Sequence, residues 1–248
     1  SILNMDSYDW ELLHQFVDKL DLTGLLSFDA VGVEDTQAQL HLLVEIGTVL
    51  ARKYDVVVTN PPYMGISNGN GKLNNFVKKN FPDSKTDLFA VFIEKCVEMA
   101  KANCYQAMLT QHSWMFLSSY EKLRDKMQMM DTVNMAHLGA RAFEEIGGEV
   151  VQTTSFIKRK TYVQRYKGKY IRLVEQTTPV GKENSFLNGE RVFVTKNQDF
   201  SKIPGMPIAY WLSNRMQEVF LHENKMEHYG VARQGLATSD NNRFLRLW

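Results

Sequence analysis

Long apolar runs are missing from this 248-residue sequence, and none approaches the ~18 residues that a membrane-spanning helix requires. The N-terminus lacks the basic-then-apolar form of a secretory signal. Cysteine is nearly absent: Cys96 and Cys104 occur without a CxxC pair, which excludes a disulfide framework and a thiolate metal site. They read as free thiols in a reducing compartment, so the expectation is a cytoplasmic, metal-free protein with no membrane contact. Neither sign of charge is in excess, since 29 Lys and Arg against 28 Asp and Glu leave +1, and any polyanion site must come from local clustering. The phosphate-binding glycine signatures are missing too. The one glycine cluster, "GISNGNGK", has Asn74 where the dinucleotide fingerprint needs its third glycine. It also has Ile66 and Leu73 where a P-loop needs Gly and Ser or Thr. Repeats and low-complexity tracts are absent. What remains, 44% hydrophobic and 23% charged, is the composition of a folded chain of one domain or two small ones.

Helical spacing of Trp10, Leu13, Phe16, Val17 and Leu20 marks a first amphipathic helix. Thr36-Gln37-Ala38-Gln39 has the form of a capping box and opens a second, to about Arg52, with Leu40, Leu43, Val44, Gly47 and Leu50 as its apolar face. "YDVVVT" is continuously apolar and β-branched, as in a strand buried on both faces of a parallel sheet. The Gly/Asn-rich stretch after it reads as a flexible loop, a candidate lid. Ser84 to Asp87 has the form of another capping box, leading into the helix "LFAVFIEKCVEMA". "YQAMLTQ" and "TVNMAHLG" are further strands, with a helix from Ser118 to about Met130 between them. "VVQTTSFIKRK" and "KYIRLVE" read as strands of a charged hairpin near one sheet edge, and beyond Pro179 the pattern breaks into loops and one helix around "PIAYWLSNRMQEVF". Strand–helix alternation followed by a hairpin indicates an α/β sheet. The expected organisation is a helical segment over 1–52, a catalytic half-domain over 53–178 and a connector over 179–248.

The strand "YDVVVT" ends in Asn60-Pro61-Pro62-Tyr63, which cannot continue any regular structure. In open parallel sheets ligands bind beyond the carboxyl ends of the strands. There the Asn60 Oδ1 and the Pro61 carbonyl can each accept one N–H of an –NH2 group, turning the nitrogen lone pair toward an electrophile. Tyr63 offers a face on which a planar base or amide can stack. The prolines add no competing donor, so the tetrapeptide reads as a cradle for an amino-group nucleophile.

"YDVVVTNPPYMG" resembles the catalytic motif of S-adenosylmethionine-dependent N6-adenine DNA methyltransferases. Taken in order with "KLNNFVKKNFPDSKTDLFAVFIEKCVEMAK", "YQAMLTQHSWMFLSSYEKLRD", "GARAFEEIGGEVVQTTSFIKR" and "GLATSDNNRFLRLW", it resembles the methyltransferases of BREX phage exclusion (the PglX family) and their type IIG restriction-modification relatives. The resemblance implies that Asn60 and Pro61 accept hydrogen bonds from the adenine amino group and Tyr63 stacks on the flipped base. By the same resemblance Phe143 flanks that base on its other side, and Asp87, Leu88 and Phe89 pack near the cofactor adenine. Asp87 has a competing role as partner of Ser84 in the cap.

Such enzymes hold S-adenosylmethionine through a glycine-rich motif upstream of the proline motif, and none precedes residue 50. The expectation is therefore a fragment: the C-terminal half of a Rossmann-like methyltransferase sheet preceded by a helical insertion. DNA is the expected partner, with other phage-defence subunits besides. Two alternatives stand beside it: methylation of ribosomal RNA or protein glutamine, and a non-catalytic DNA-binding or assembly module. A phosphate-contacting patch is expected on Lys158, Arg159, Lys160, Arg165, Lys167, Lys169 and Arg172, a run without an acid. Without a preceding strand, Val56, Val57 and Val58 would form an open sheet edge, over which the helices of residues 7 to 52 are expected to fold.

Overall fold

The computed structural model describes residues 7–19, 33–143, 151–221 and 229–231. Two helices, α1 (Ser7–Asp18) and α2 (Val33–Ala51), form an antiparallel hairpin ahead of the sheet. Val17 and Val44 are buried between them, and Trp10 lies over Gly47, where an added Cβ would sit 2.2 Å from the ring. α2 starts before the Thr36 capping box, which therefore lies inside the helix. Its apolar residues divide: Val44 and Gly47 face α1, while Leu42, Leu43, Ile46, Val49 and Leu50 stay exposed.

The strands β1 (Tyr54–Thr59), β2 (Ala100–Gln111), β3 (Asp131–Gly139), β4 (Thr153–Arg159), β5 (Gly168–Arg172) and β6 (Val192–Thr195) form one sheet in the order β1-β2-β4-β3-β5-β6. β1 and β2 are parallel, as are β3 and β5, while β4 runs antiparallel between β2 and β3. The mixed α/β sheet expected from the sequence is present. An antiparallel strand does close one edge, β6 against β5, but a second, β4, lies in the interior, and β4 is not the hairpin partner of β5. Helices α3 (Gly71–Asn80), α4 (Leu88–Met99) and α5 (Glu121–Gln128) occupy the connections between β1, β2 and β3.

One cross-strand row explains why the sheet closes in this register. Met108, Phe156, Met135 and Tyr170 lie opposite one another on β2, β4, β3 and β5, all buried, with Thr59 and Phe193 extending the row at its two ends. Phe89 and Ile93 of α4, Leu123 of α5 and Trp114 pack onto that face. Cross-strand pairs of this kind, with helices on top, are the stabilising unit of such a sheet. The chain beyond Pro179 joins the same body: it adds α6 (Pro179–Leu187), β6, α7 (Asn197–Phe200) and α8 (Asn214–Val219), and places Phe200, Ile208 and Tyr210 in the core. Most of "PIAYWL" is therefore extended core-filling chain, and the helix there is confined to Asn214–Val219.

β1 is an edge strand whose residues are all half-buried or exposed, against the expectation of burial on both faces. Val57 faces the core cluster, but Val56 and Val58 are 55% and 71% exposed. The α1–α2 hairpin does not cover them. It reaches the strand through its first residue, whose Tyr54 hydroxyl donates to the Val49 carbonyl at 2.7 Å.

Candidate functional site: the Asn60–Tyr63 turn

β1 delivers Asn60 to the carboxyl end of the sheet, where its side chain is exposed and makes no hydrogen bond among the described residues. Pro61 is buried and Pro62 exposed, and Tyr63 turns back to β2, where its hydroxyl donates to the Leu109 carbonyl at 3.3 Å. The Tyr63 ring meets Phe89 edge-on at 6.2 Å, and burial pushes its hydroxyl up to about 12, so it stays protonated.

The turn is strapped to the N-terminus of α4. Asp87 is the N-cap, and its Oδ1 accepts from Phe89 N at 3.2 Å and from Met64 N at 3.0 Å. Leu88 N donates to the Met64 carbonyl at 3.0 Å and Ile66 N to the Thr86 carbonyl at 3.2 Å. Asp87 is thus the cap itself and not the third residue of a box opened by Ser84, whose hydroxyl donates instead to Glu94 at 2.7 Å. Burial raises the Asp87 carboxyl above its ordinary range, opposed by its backbone hydrogen bonds. Phe89 is wholly enclosed, and Leu88 packs with Val77, Phe81 and Val91. The expected lid is ordered secondary structure: a 3₁₀ turn over Ile66–Asn68, then Asn70 capping α3 by accepting from Leu73 N at 2.9 Å.

Phe143 is half-buried in the segment leaving β3, which turns at Gly139 with φ +69°. The rest of "FEEIGG" and the whole of "GLATSDNNRFLRLW" lie outside the described residues.

The basic residues do not form the expected exposed patch. Lys158 is 2% exposed and donates to the Met127 carbonyl and the Thr132 hydroxyl, each at 2.9 Å, with burial lowering its ammonium to about 7. Arg159 pairs with Asp131 at 2.7 Å, and Lys160 donates to the Val97 and Ala100 carbonyls at the end of α4. Arg172 lies over Trp211 and bonds Glu175 at 2.8 Å, which leaves Arg165, Lys167 and Lys169 exposed. Arg159 stands opposite Tyr105 and Asp131, at the amino ends of β2 and β3. Six residues of β4 separate it from Thr153 at the carboxyl end, roughly 20 Å at strand rise.

Sequence reasoning passed over His112, His137 and Tyr210. The histidines meet through Nδ1 of His112 and Nε2 of His137 at 2.8 Å, and Nδ1 of His137 is 3.0 Å from the Tyr210 hydroxyl. One signal was available: "TQHSW" and "AHLG" put a histidine at the carboxyl ends of two parallel strands, where ligands bind. Among the described residues no cluster of three or more His, Cys, Asp or Glu could hold a metal, and no helix is long and apolar enough to cross a membrane.

Among known proteins, the family of Eco57I restriction-modification methylases matches residues 10–139, which include the Asn60 turn and its strap. The adenine-specific methyltransferase PglX of Lacticaseibacillus casei (strain Zhang) is 42% identical over all of this chain and 21% of its own length. The adenine-specific methyltransferase BrxX of Escherichia coli O9:H4 (strain HS) is 40% identical over all of this chain and 20% of its own. The chain thus spans about a fifth of the length of these curated relatives. A solved DrdV–DNA complex shares the fold, at TM-score 0.52 and 12% identity, over 73% of this chain and 20% of that one. With a family match over more than half its length, and two relatives matching along all of it, this chain belongs to the Eco57I restriction-modification methylases.

Proposed function

We propose that the intact protein methylates the N6 amino group of adenine in DNA, in restriction-modification or phage defence, and that this chain supplies the part that orients the amine. The observation that carries the reading is Asn60: an exposed amide without a partner among the described residues, at the carboxyl end of a parallel strand, followed by two prolines in a turn strapped to a helix cap. A surface asparagine needs no such scaffolding, whereas one that must hold an –NH2 lone pair in line does. Asn60 Oδ1 and the Pro61 carbonyl accept the two N–H groups, while Tyr63 and Phe143 flank the ring of a base extruded from the duplex.

S-adenosylmethionine, the cofactor this family implies, would supply an electrophilic methyl group. The described residues do not make its site. Phe89 is enclosed in the core, Leu88 belongs to an apolar cluster, and Asp87 accepts from two backbone N–H groups. They fit the amine side of the reaction. Of the basic run, Arg165, Lys167 and Lys169 are the cations left exposed to meet phosphates. Further subunits of a defence system would meet surfaces outside this turn.

Asn60→Ala in the intact protein is expected to lower adenine methylation on the order of 10²–10³-fold with the fold retained. Near-wild-type adenine methylation in that variant refutes the role of Asn60. Methyl transfer to RNA or to protein glutamine, with none to DNA adenine, refutes the substrate.

A further inference from the structure

Beyond the carboxyl ends of β2 and β3 lies a polar chain that the amine cradle does not use. His112, the first residue past β2, meets His137 at 2.8 Å, and His137 meets the Tyr210 hydroxyl at 3.0 Å. Tyr210 is buried, and Nδ1 of His137 is its hydroxyl's hydrogen-bond partner among the described residues; the Arg172 guanidinium lies 4.5 Å over the adjacent Trp211 ring.

The buried hydroxyl gives the chain a direction. A phenol proton left without an acceptor in the interior is costly. The Tyr210 proton therefore points to Nδ1 of His137. His137 is then the Nε2–H tautomer and donates to Nδ1 of His112. The one proton left on a neutral His112 sits on Nε2, at the free end of the ring. Both rings are held neutral. Burial, then the charges of His112, Arg172 and Lys182, opposed by Glu175, takes His137 to about 3, and burial lowers His112 as well.

This free N–H lies on the side of the sheet that carries Asn60. The Tyr63 hydroxyl donates to the Leu109 carbonyl, three residues before His112, and Thr59, the residue before Asn60, stands opposite Met108 on β2. The segment bearing Phe143 leaves β3 just past His137. His112 is half-buried between these two sides, edge-on to Phe116 at 5.5 Å.

We infer that His112 contacts the substrate by donating its Nε2–H to an acceptor nitrogen beside the amino group that Asn60 orients, and that His137 and Tyr210 are positioning residues that fix its tautomer. The inference rests on the proposed adenine substrate, whose amino group has ring-nitrogen acceptors next to it. A neutral donor suits such an acceptor, and a fixed tautomer cannot present a lone pair to it by mistake.

Steady-state methylation of a DNA duplex by the intact protein tests this with four variants. His112→Phe keeps a ring against Phe116 and removes the donor, so kcat/KM should fall about 10- to 100-fold. His112→Gln restores an N–H and should recover to within about 5-fold of wild type. Tyr210→Phe removes only the proton that sets the tautomer and should give a smaller fall, about 3- to 10-fold, at unchanged Tm. Between about pH 6 and 9 the wild type should show no ionisation that His112→Phe abolishes. Wild-type kcat/KM in folded His112→Phe overturns the inference, as does failure of Gln to rescue. An ionisation near pH 6.5 that vanishes in His112→Phe also overturns it, because His112 would then be a titrating base. Should His112→Phe lose its fold, Tyr210→Phe decides, and an unchanged kcat/KM there is fatal. Asn60→Ala run in parallel separates the two readings: activity lost there but intact in His112→Phe sinks this inference alone, whereas activity intact in Asn60→Ala sinks the proposed function.

Discussion

Replacing Asp87 distinguishes a residue that positions the turn from one whose charge meets a ligand. Its Oδ1 holds Phe89 N at 3.2 Å and Met64 N at 3.0 Å, and both bonds need an oxygen acceptor but not a charge. Asparagine offers the same oxygen and ranks with aspartate at N-caps, so Asp87→Asn should change stability by less than about 1 kcal/mol. Asp87→Ala removes both bonds. Loss of the cap costs about 1 kcal/mol, and an unpartnered, partly buried Met64 N–H about 1 more, giving roughly 2 kcal/mol in denaturant titration. The effect on function should be larger, because the same bond ties the Asn60 turn to α4, and an ångström of slack at a reacting group costs on the order of 10²-fold. In the intact protein, adenine methylation should fall about 10- to 100-fold in Asp87→Ala and stay within about 3-fold of wild type in Asp87→Asn. An Asp87→Asn protein of normal stability but as inactive as Asp87→Ala would refute the positioning argument and restore a direct contact between the carboxylate and the cofactor.

Lys158 gives a pH signature. Its folded value near 7 lies below its ordinary 10.5, so between those limits the unfolded chain holds a proton the native state lacks, and stability rises with pH. The stability advantage of Lys158→Met over wild type should shrink by up to about 1.4 kcal/mol per pH unit between about pH 7.5 and 9.5, and parallel curves would refute the burial of a poised lysine. Gly47→Ala, a change that usually strengthens a helix by about 1 kcal/mol, should instead lower the melting temperature, because the new Cβ meets Trp10 at 2.2 Å; a raised Tm contradicts the hairpin packing. Reversing Arg165 and Lys169 together should weaken DNA binding and flatten its salt dependence if they touch phosphates, and an unchanged salt slope removes them from the interface. The open β1 edge should make the purified chain associate, and Val58→Lys should reduce that association in light scattering; equal scattering of the two would show the edge is protected.

What was legible in the sequence was local. Three valines before two prolines define a strand and its end whatever the tertiary context, because sterics at proline act on the nearest residues. The α/β character followed from the change between strand and helix periods. Pairing was not legible. The segment Thr153–Arg159 could as well pair with the next strand as with β2 and β3, since a hydrophobic pattern marks a strand but not its neighbours. That choice decided the fate of the basic run: on a central strand Lys158 points into the core, whereas on an outer hairpin it would have met solvent. The misreading of β1 is likewise one of tertiary context. A continuous valine run signals burial on both faces only where a layer packs on each face; the core covers Val57, and among the described residues nothing covers Val56 and Val58. Asp87 was read three residues out of place because Ser84 and Asp87 both suit a cap, and only the course of the chain beside Met64 selects between them. The histidines escaped because no motif joins positions 112, 137 and 210, which only the folded sheet brings together.

The two ends of the sheet use their polar groups in opposite ways, and this difference locates function better than charge does. At the amino end every cation of Lys158-Arg159-Lys160 is bonded to a carbonyl, a hydroxyl or a carboxylate of the chain itself. Buried cations without such partners would destabilise the fold, so these bonds are what the structure needs to keep them. At the carboxyl end the pattern reverses. Asp87 Oδ1 and the Tyr63 hydroxyl hold the turn, yet Asn60, the group they hold, has no partner among the described residues. His112 continues that pattern: His137 and Tyr210 behind it are engaged, and among the described residues its Nε2 has no partner. Rigid support of an unsatisfied polar group adds nothing to folding, and it is what a site preorganised for an external partner requires. Within the basic run, Lys158, Arg159 and Lys160 are held by the chain itself, whereas Arg165, Lys167 and Lys169 lie exposed. For this reason the amine cradle and its histidine neighbour, and not the lysines, are the residues on which a loss of activity should fall when the two ends are altered in turn.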